Sequence, residues 1–280
     1  MHVRQMVGMA IASLLLSIGP GRICWAGNAL YFDGTDDYLS VTGFSMTTQA
    51  LTVEAWVSIS WYPVYPAYGK IMDFGGPTPG GRFTLQSTPT GVNFSIDGGG
   101  PPPVAPDAYV EAPLILSTWH HVAGTWESSG IMHLYVDGIL VDTGTYAVSQ
   151  LTIASGNSSY IGKRYTTYSG DDGAVDCFAG AIDELRVWNV VRTPEQIAAD
   201  YNQQVAGNTQ GLVSYWHFDE GAGVVTGDST GHGWSAILGG DGSGSDLPIW
   251  MVSGAPTIPE PASLSLLALG GLAVIRRRRK

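Results

Sequence analysis

The stretch FAGAIDELRVWNVVRTPEQI, residues 178–197, decides the fold class. Its first part, AGAIDELRVWN, reads as a strand: aliphatic and aromatic residues follow a glycine, and no proline interrupts them. Its second part opens a helix. Thr193 is a capping residue, Pro194 takes the first helical position and Gln196 the third, which is the capping-box pattern. Ile197, Ala198 and Tyr201 then recur at helical spacing. This is the one well-signalled helix of the body, and it predicts a short element covering an edge or end of a sheet.

Outward from this stretch the pattern has period two. In LTVEAWVSI, residues 51–59, Leu51, Val53, Ala55, Val57 and Ile59 face one way, and Thr52, Glu54, Trp56 and Ser58 the other. Short strands follow in KIMDFG (70–75), RFTLQST (82–88), GVNFSI (91–96), TWHHVAGTWE (118–127), SYIGKR (159–164), GLVSYWHFDE (211–220) and SAIL (235–238). IMHLYVDGILVDTGTY, residues 131–146, contains a hairpin turning at Asp137-Gly138. SWYPVYPAYG (60–69) and GGGPPPVAPD (98–107) are too rich in proline for central strands and read as loops. Many short strands, frequent turn signals and a single helix predict an all-β, two-sheet antiparallel jelly-roll sandwich with one capping helix.

The two ends read separately from this body. Arg4, the apolar stretch Met6 to Ile18, a Gly-Pro-Gly break and Cys24-Trp25-Ala26 form a secretory signal over residues 1–26, cut after Ala26. At the other end, Pro259-Glu260-Pro261 precedes a 14-residue apolar run, Ala262 to Ile275, and the cations Arg276 to Lys280. As a helix that run is roughly 21 Å long, short of the about 30 Å of a bilayer core, and the terminal cations extend it by snorkelling. Segment 256–280 resembles the PEP-CTERM sorting signal of bacterial surface and exopolysaccharide-associated proteins. The resemblance implies recognition near Pro259, Glu260 and Pro261 by an exosortase-type sorting protease. It also implies a cell-surface or matrix destination, with membrane contact through the terminal segment only.

Charge supports that division. All 24 acidic residues lie between Asp33 and Glu260, whereas seven of the 13 cations sit in the two ends. Glu260 belongs to the terminal segment, so the exported body carries six cations against 23 acids, a formal charge of −17. Such a body repels nucleic acid and anionic lipid. Cys177 is its one cysteine, so no intrachain disulfide forms there.

The strand sequences carry a second resemblance. LYFDGTDDYLSV, LTVEAWVSI, WHHVAGTW, LYVDGILV, FAGAIDELRVWNVVRTPEQI and GLVSYWHFDEGAG…DSTGHG are similar to the laminin-G-like, concanavalin A-like jelly roll. These segments span most of residues 28–238 and place the domain at 27–255. In many members a segment of the last type opens the domain; here it follows the helix. Two explanations stay open: it pairs beside the N-terminal strand in a permuted order, or it is the remnant of a second domain.

For function, the carboxylate pair Asp183 and Glu184 is the first to weigh, since a retaining glycosidase needs two carboxyl groups about 5–5.5 Å apart. As strand neighbours they point to opposite faces by simple alternation, which keeps them from flanking one bond. No catalytic motif appears elsewhere, and the chain reads as a non-enzyme. Calcium is a candidate structural cofactor, because Asp33, Asp36 and Asp37 crowd a glycine turn and Asp228 sits in DSTGHG. Asp183 joins them through the family resemblance, on the strand that often supplies a metal carboxylate. The aromatic loop residues Trp61, Tyr62, Tyr65 and Tyr68 are candidates for stacking on sugar rings. The reading is an exported recognition or structural module whose partner is an extracellular polysaccharide or a surface protein. A protein-binding adhesion domain without a sugar site and a divergent glycoside hydrolase are the alternatives.

Overall fold

The computed structural model describes residues 27–64, 68–76, 81–96, 108–157, 159–164 and 176–256. The signal, Tyr65, and the apolar helix and sorting motif of the C-terminus lie outside them. The strands are β1 (Asn28–Asp33), β2 (Leu39–Val41), β3 (Met46–Thr48), β4 (Ala50–Ile59), β5 (Gly69–Gly75) and β6 (Arg82–Ser87). They continue with β7 (Gly91–Ile96), β8 (Ala108–Pro113), β9 (Trp119–Glu127), β10 (Ile131–Val136), β11 (Ile139–Thr145) and β12 (Leu151–Ile153). Next come β13 (Ser159–Ile161), β14 (Ala179–Trp188), helix α1 (Pro194–Asp200) and β15 (Leu212–Trp216). The last are β16 (Val225–Thr226), β17 (Ala236–Leu238) and β18 (Ile249–Val252).

They form two large antiparallel sheets. The first runs β11-β10-β9-β4-β14-β1-β18, with β15 also paired to β14; the second runs β16-β17-β2-β13-β5-β6-β7-β8. The small β12-β3 pair stands apart. The inward set expected of β4 (Leu51, Val53, Ala55, Val57 and Ile59) is fully in the core. It meets Phe74, Phe83, Leu85, Phe94 and Val110 of the second sheet in one cluster between the layers. The β10–β11 hairpin turns at Asp137 (φ 51°) and Gly138 (φ 79°). Positive φ at both central residues is the type I′ geometry that matches strand twist.

The closing segment belongs to both sheets. β15 pairs with β14 (Leu185 opposite Trp216), β17 with β2 (Ala236 opposite Val41) and β18 with β1 (Asn28 opposite Val252). The expected segment itself joins β14 through β15, and it is the later strand β18 that lies beside the N-terminal strand.

Helix α1 begins as its sequence dictates. Thr193 caps the backbone N–H of Gln196, and the Gln196 side chain accepts from the Thr193 N–H at 2.9 Å. Ile197 is its buried residue and packs on Ala123 and Tyr135, so α1 covers the outer face of the first sheet. That face is polar yet sealed. Glu54 Oε1 accepts from Trp188 Nε1 at 2.9 Å and Arg192 Nη1 at 3.2 Å, and Arg186 Nη1 stands 3.5 Å away. Burial works against the Glu54 charge, but Arg186, His121 and Arg192 outweigh it and hold this carboxyl below its usual range. His121, wholly buried beside it, is pushed down to about 4 by burial.

Candidate functional site

The outer face of the second sheet carries the site. On β6, Phe83 and Leu85 turn inward, so Arg82, Thr84 and Gln86 turn outward. Alternation does the same for Asn93 and Ser95 on β7 and for Tyr109 and Glu111 on β8. The register then lines these residues up across strands. Lys70 stands opposite Gln86, Gln86 opposite Asn93, and Asn93 opposite Glu111. A second row runs Asp73, Thr84, Ser95 and Tyr109. Strands lie about 4.8 Å apart, so the first row spans roughly 14 Å of polar side chains.

Apart from Asp73, these rows line a cleft of about 430 Å³, joined by Tyr68, Arg164 and Asp176. The Arg82 guanidinium grips Asp73 with two bonds, Nε–Oδ1 at 2.6 Å and Nη2–Oδ2 at 2.7 Å. Thr84 and Ser95 hydroxyls bond at 2.5 Å, and Thr88 Oγ1 donates to Glu111 Oε1 at 2.6 Å. Lys70 Nζ donates to Gln86 Oε1 and lies 5.5 Å from the centre of the Tyr68 ring. Burial pushes the Lys70 ammonium down to about 8. Asn93 Oδ1 is buried with no hydrogen-bond partner among the described residues. Paired planar amides, a carboxylate and a guanidinium between Tyr68 and the half-exposed Tyr109 offer hydrogen bonds along a groove bounded by flat rings. This combination suits polyhydroxylated ligands.

Of the aromatic loop, Tyr68 alone among the described members lines this cleft. Trp61 is 48% exposed and lies against the Gly34 turn, where a Cβ would sit 2.5 Å from its Cζ2. Tyr62 is half-buried against the core and donates its hydroxyl to Leu114 O.

The acidic candidates divide into three places. Carboxylate oxygens of Asp33, Asp36 and Asp37 lie within 4.8 Å of one another. Asp37 Oδ2 accepts from the Asp33 N–H at 2.7 Å, and burial raises the Asp37 carboxyl to about 6. Asp183 is four residues along β14 from Ala179, the partner of Asp33, hence roughly 13 Å from that turn. Asp228 ties its own loop, accepting from Tyr215 N and Thr230 N at 3.1 Å.

The expected opposition of Asp183 and Glu184 does not hold. β14 has one extra residue here, since Asp183 faces Trp56 while Arg186 faces Glu54, and Glu184 has φ 51°. This bulge lets Ile182 and Leu185 both enter the core and puts both carboxylates on the outer face. Both are buried and bonded. Asp183 takes Ser253 Oγ at 2.5 Å and the Glu184 N–H at 2.8 Å; Glu184 takes Arg186 Nη2 at 2.9 Å, Gln204 Nε2 at 3.0 Å and the Tyr215 hydroxyl. Burial opposes the Glu184 charge, but His217, Arg186 and Tyr215 overcome it and hold this carboxyl at about 2. Burial, and then Glu184 itself, push Asp183 well above the usual carboxylate range. Glu184 also gathers with His217 and Asp219, within 4.8 Å.

The cleft was not visible in the sequence, because its residues come from separate strands and meet only through register. One signal was there. The outward positions of RFTLQS, GVNFSI and AYVEAP include the long or planar hydrogen-bonding groups of Arg82, Gln86, Asn93 and Glu111.

Two large antiparallel layers packed face to face define a jelly-roll sandwich. The chain belongs to the concanavalin A-like lectin/glucanases superfamily, whose model matches residues 33–198. The PEP-CTERM protein-sorting motif matches residues 257–280, which marks the chain for export and surface sorting, with exosortase processing implied. Similar proteins include C-reactive protein of Rattus norvegicus, 33% identical over 113 residues, 40% of this chain and 46% of that protein. Another is the Sushi, von Willebrand factor type A, EGF and pentraxin domain-containing protein 1 of the same species, 32% identical over 80 residues, 28% of this chain and 2% of that one. The chain thus spans less than half the length of these relatives. A putative carbohydrate binding protein from Bacteroides ovatus superposes with TM-score 0.62 at 21% identity, over 83% of this chain and 61% of that chain. Among the described residues no helix is long and apolar enough to cross a membrane.

Proposed function

We propose that the chain is an exported, non-catalytic glycan-binding module of the cell surface or extracellular matrix, and that the cleft over β5–β8 is its binding site. The observation that carries this reading is the register-aligned row Lys70, Gln86, Asn93, Glu111 flooring a cleft beside Tyr68 and Tyr109. Family membership and the carbohydrate-binding title of the Bacteroides ovatus protein support it. In this reading residues 1–26 are the signal and 27–255 the binding domain. Residues 256–280 are the sorting segment, whose Pro259-Glu260-Pro261 meets the exosortase and whose apolar run holds the chain in the membrane. The bonded, buried state of Asp183 and Glu184 supports a role in packing rather than hydrolysis.

The test is a glycan array probed with the full chain, its Asn93→Ala and Gln86→Ala variants, and Trp61→Ala. Binding that falls at least about tenfold in the cleft variants and persists in Trp61→Ala is expected. Binding lost only in Trp61→Ala moves the site to the loop. Retained fold with no glycan bound leaves a protein-binding role, and release of reducing ends from a bound polysaccharide shows an enzyme.

Calcium is assigned to the Asp33–Asp37 turn, whose three carboxylates offer the hard oxygens this ion prefers. The Glu184 group includes a histidine, and its glutamate charge is already spent on Arg186. The raised Asp37 pKa fixes a sign. Between the unfolded value of about 4 and the folded value of about 6, the native state binds more protons, so stability falls as pH rises through that window. Asp37→Asn is expected to raise the melting midpoint at neutral pH in chelator, with the gain gone below pH about 4. In calcium the order reverses. A midpoint indifferent to chelator in the parent chain contradicts the assignment.

A further inference from the structure

The positive charge of this body is confined. Of six cations between residues 27 and 256, Arg186 and Arg192 are sealed under α1 by Glu54. Lys163 caps the Tyr38 ring at 3.0 Å. The other three, Lys70, Arg82 and Arg164, all line the one cleft over β5–β8. Two of them have carboxylates: Arg82 holds Asp73, and Arg164 Nη1 stands 3.6 Å from Asp176.

Lys70 differs. It is 6% exposed, the one hydrogen-bond partner of its ammonium among the described residues is the neutral Gln86 amide, and no carboxylate there lies within ion-pair distance. Asp73 and Asp176 attract it only from further off. An ammonium taken out of water without a counter-ion is costly, and the fold tolerates this one at the floor of an open groove. One strand spacing beyond its partner Gln86, Asn93 Oδ1 is a buried acceptor with no donor among the described residues, 4% exposed as a residue. The cleft therefore lacks an anion at Lys70 and a hydroxyl donor at Asn93, roughly 10 Å apart by strand spacing.

We infer that the cleft is specific for carboxylated glycans, with a uronic-acid carboxylate seated against Lys70 and a sugar hydroxyl donating to Asn93 Oδ1. This rests on the glycan-binding reading and narrows it. Elsewhere the body, of formal charge −17, repels such a polymer, which confines binding to this groove and makes it productive only in register.

The test is titration of the full chain with an oligogalacturonide and with its carboxyl-reduced counterpart, at low and high salt, followed by the same pair on Lys70→Met. The parent chain is expected to prefer the acidic oligosaccharide by at least about tenfold, less at high salt. Lys70→Met should lose that preference while its melting midpoint stays or rises, because an uncompensated buried charge has been removed. Equal affinity for both oligosaccharides, or preference for the reduced one, overturns the inference and leaves the glycan-binding reading standing. A fall in the Lys70→Met midpoint with the preference retained assigns Lys70 to holding Gln86 and also overturns it. Absence of binding to any glycan removes both.

Discussion

Arg186→Leu is expected to lower the stability of the domain by about 3–5 kcal/mol, a drop in melting midpoint of roughly 6–20 °C for a domain of this size. The guanidinium is wholly buried beneath α1. One Nη2 donates to Glu184 Oε2 at 2.9 Å, to Gln203 O at 2.6 Å and to the Tyr215 hydroxyl at 3.2 Å; the group also stacks over the Tyr215 ring at 4.7 Å. Leucine fills part of the volume but leaves the Glu54 and Glu184 carboxylates buried with too little positive charge. Breaking a buried network from one side is far worse than never building it. The loss should shrink in Glu54→Gln/Arg186→Leu, where one stranded charge is also gone. Denaturant melts of the two variants measure this. A loss under about 1 kcal/mol for Arg186→Leu would mean the network is hydrated and α1 is loosely docked.

Trp216→Ala is the second large effect, about 3–5 kcal/mol from the cavity left by a buried indole. Trp216 is on β15 and fully buried. Its ring meets Phe74 of the opposite sheet edge-on at 5.9 Å, and its Nε1 donates to Trp234 O at 2.9 Å. It therefore ties the closing segment to both layers. One cooperative transition that shifts down as a whole is expected. A variant that melts as the parent does, or shows a separate early transition, would make residues 211–252 an independent appendage.

Both predictions rest on features unequally readable from the sequence. The β4 stripe was legible because inner and outer positions alternate without interruption from Leu51 to Ile59. The Asp137-Gly138 turn and the Thr193 cap were legible because each rests on local backbone chemistry. The Asp183-Glu184 bulge was not: no glycine or proline marks it, and a positive φ at glutamate follows from register on both flanks of β14. That one extra residue reversed the geometric argument about the carboxylates. The cleft was hidden for a similar reason. Lys70, Gln86, Asn93 and Glu111 are spread over 42 positions, and their alignment depends on pairing across four strands. The aromatic loop drew attention as a local concentration of rings, yet Trp61 settles on Gly34 and Tyr62 on the core, leaving Tyr68 to the groove.

The most direct check on the central claim is amide hydrogen exchange of the full chain with and without a saturating glycan. Slower exchange in β6 and β7, centred on Gln86 and Asn93, with little change around Trp61 to Val64, is the predicted result. Protection confined to the 60–64 loop or to the outer face under α1, with β6 and β7 unchanged, would contradict the account.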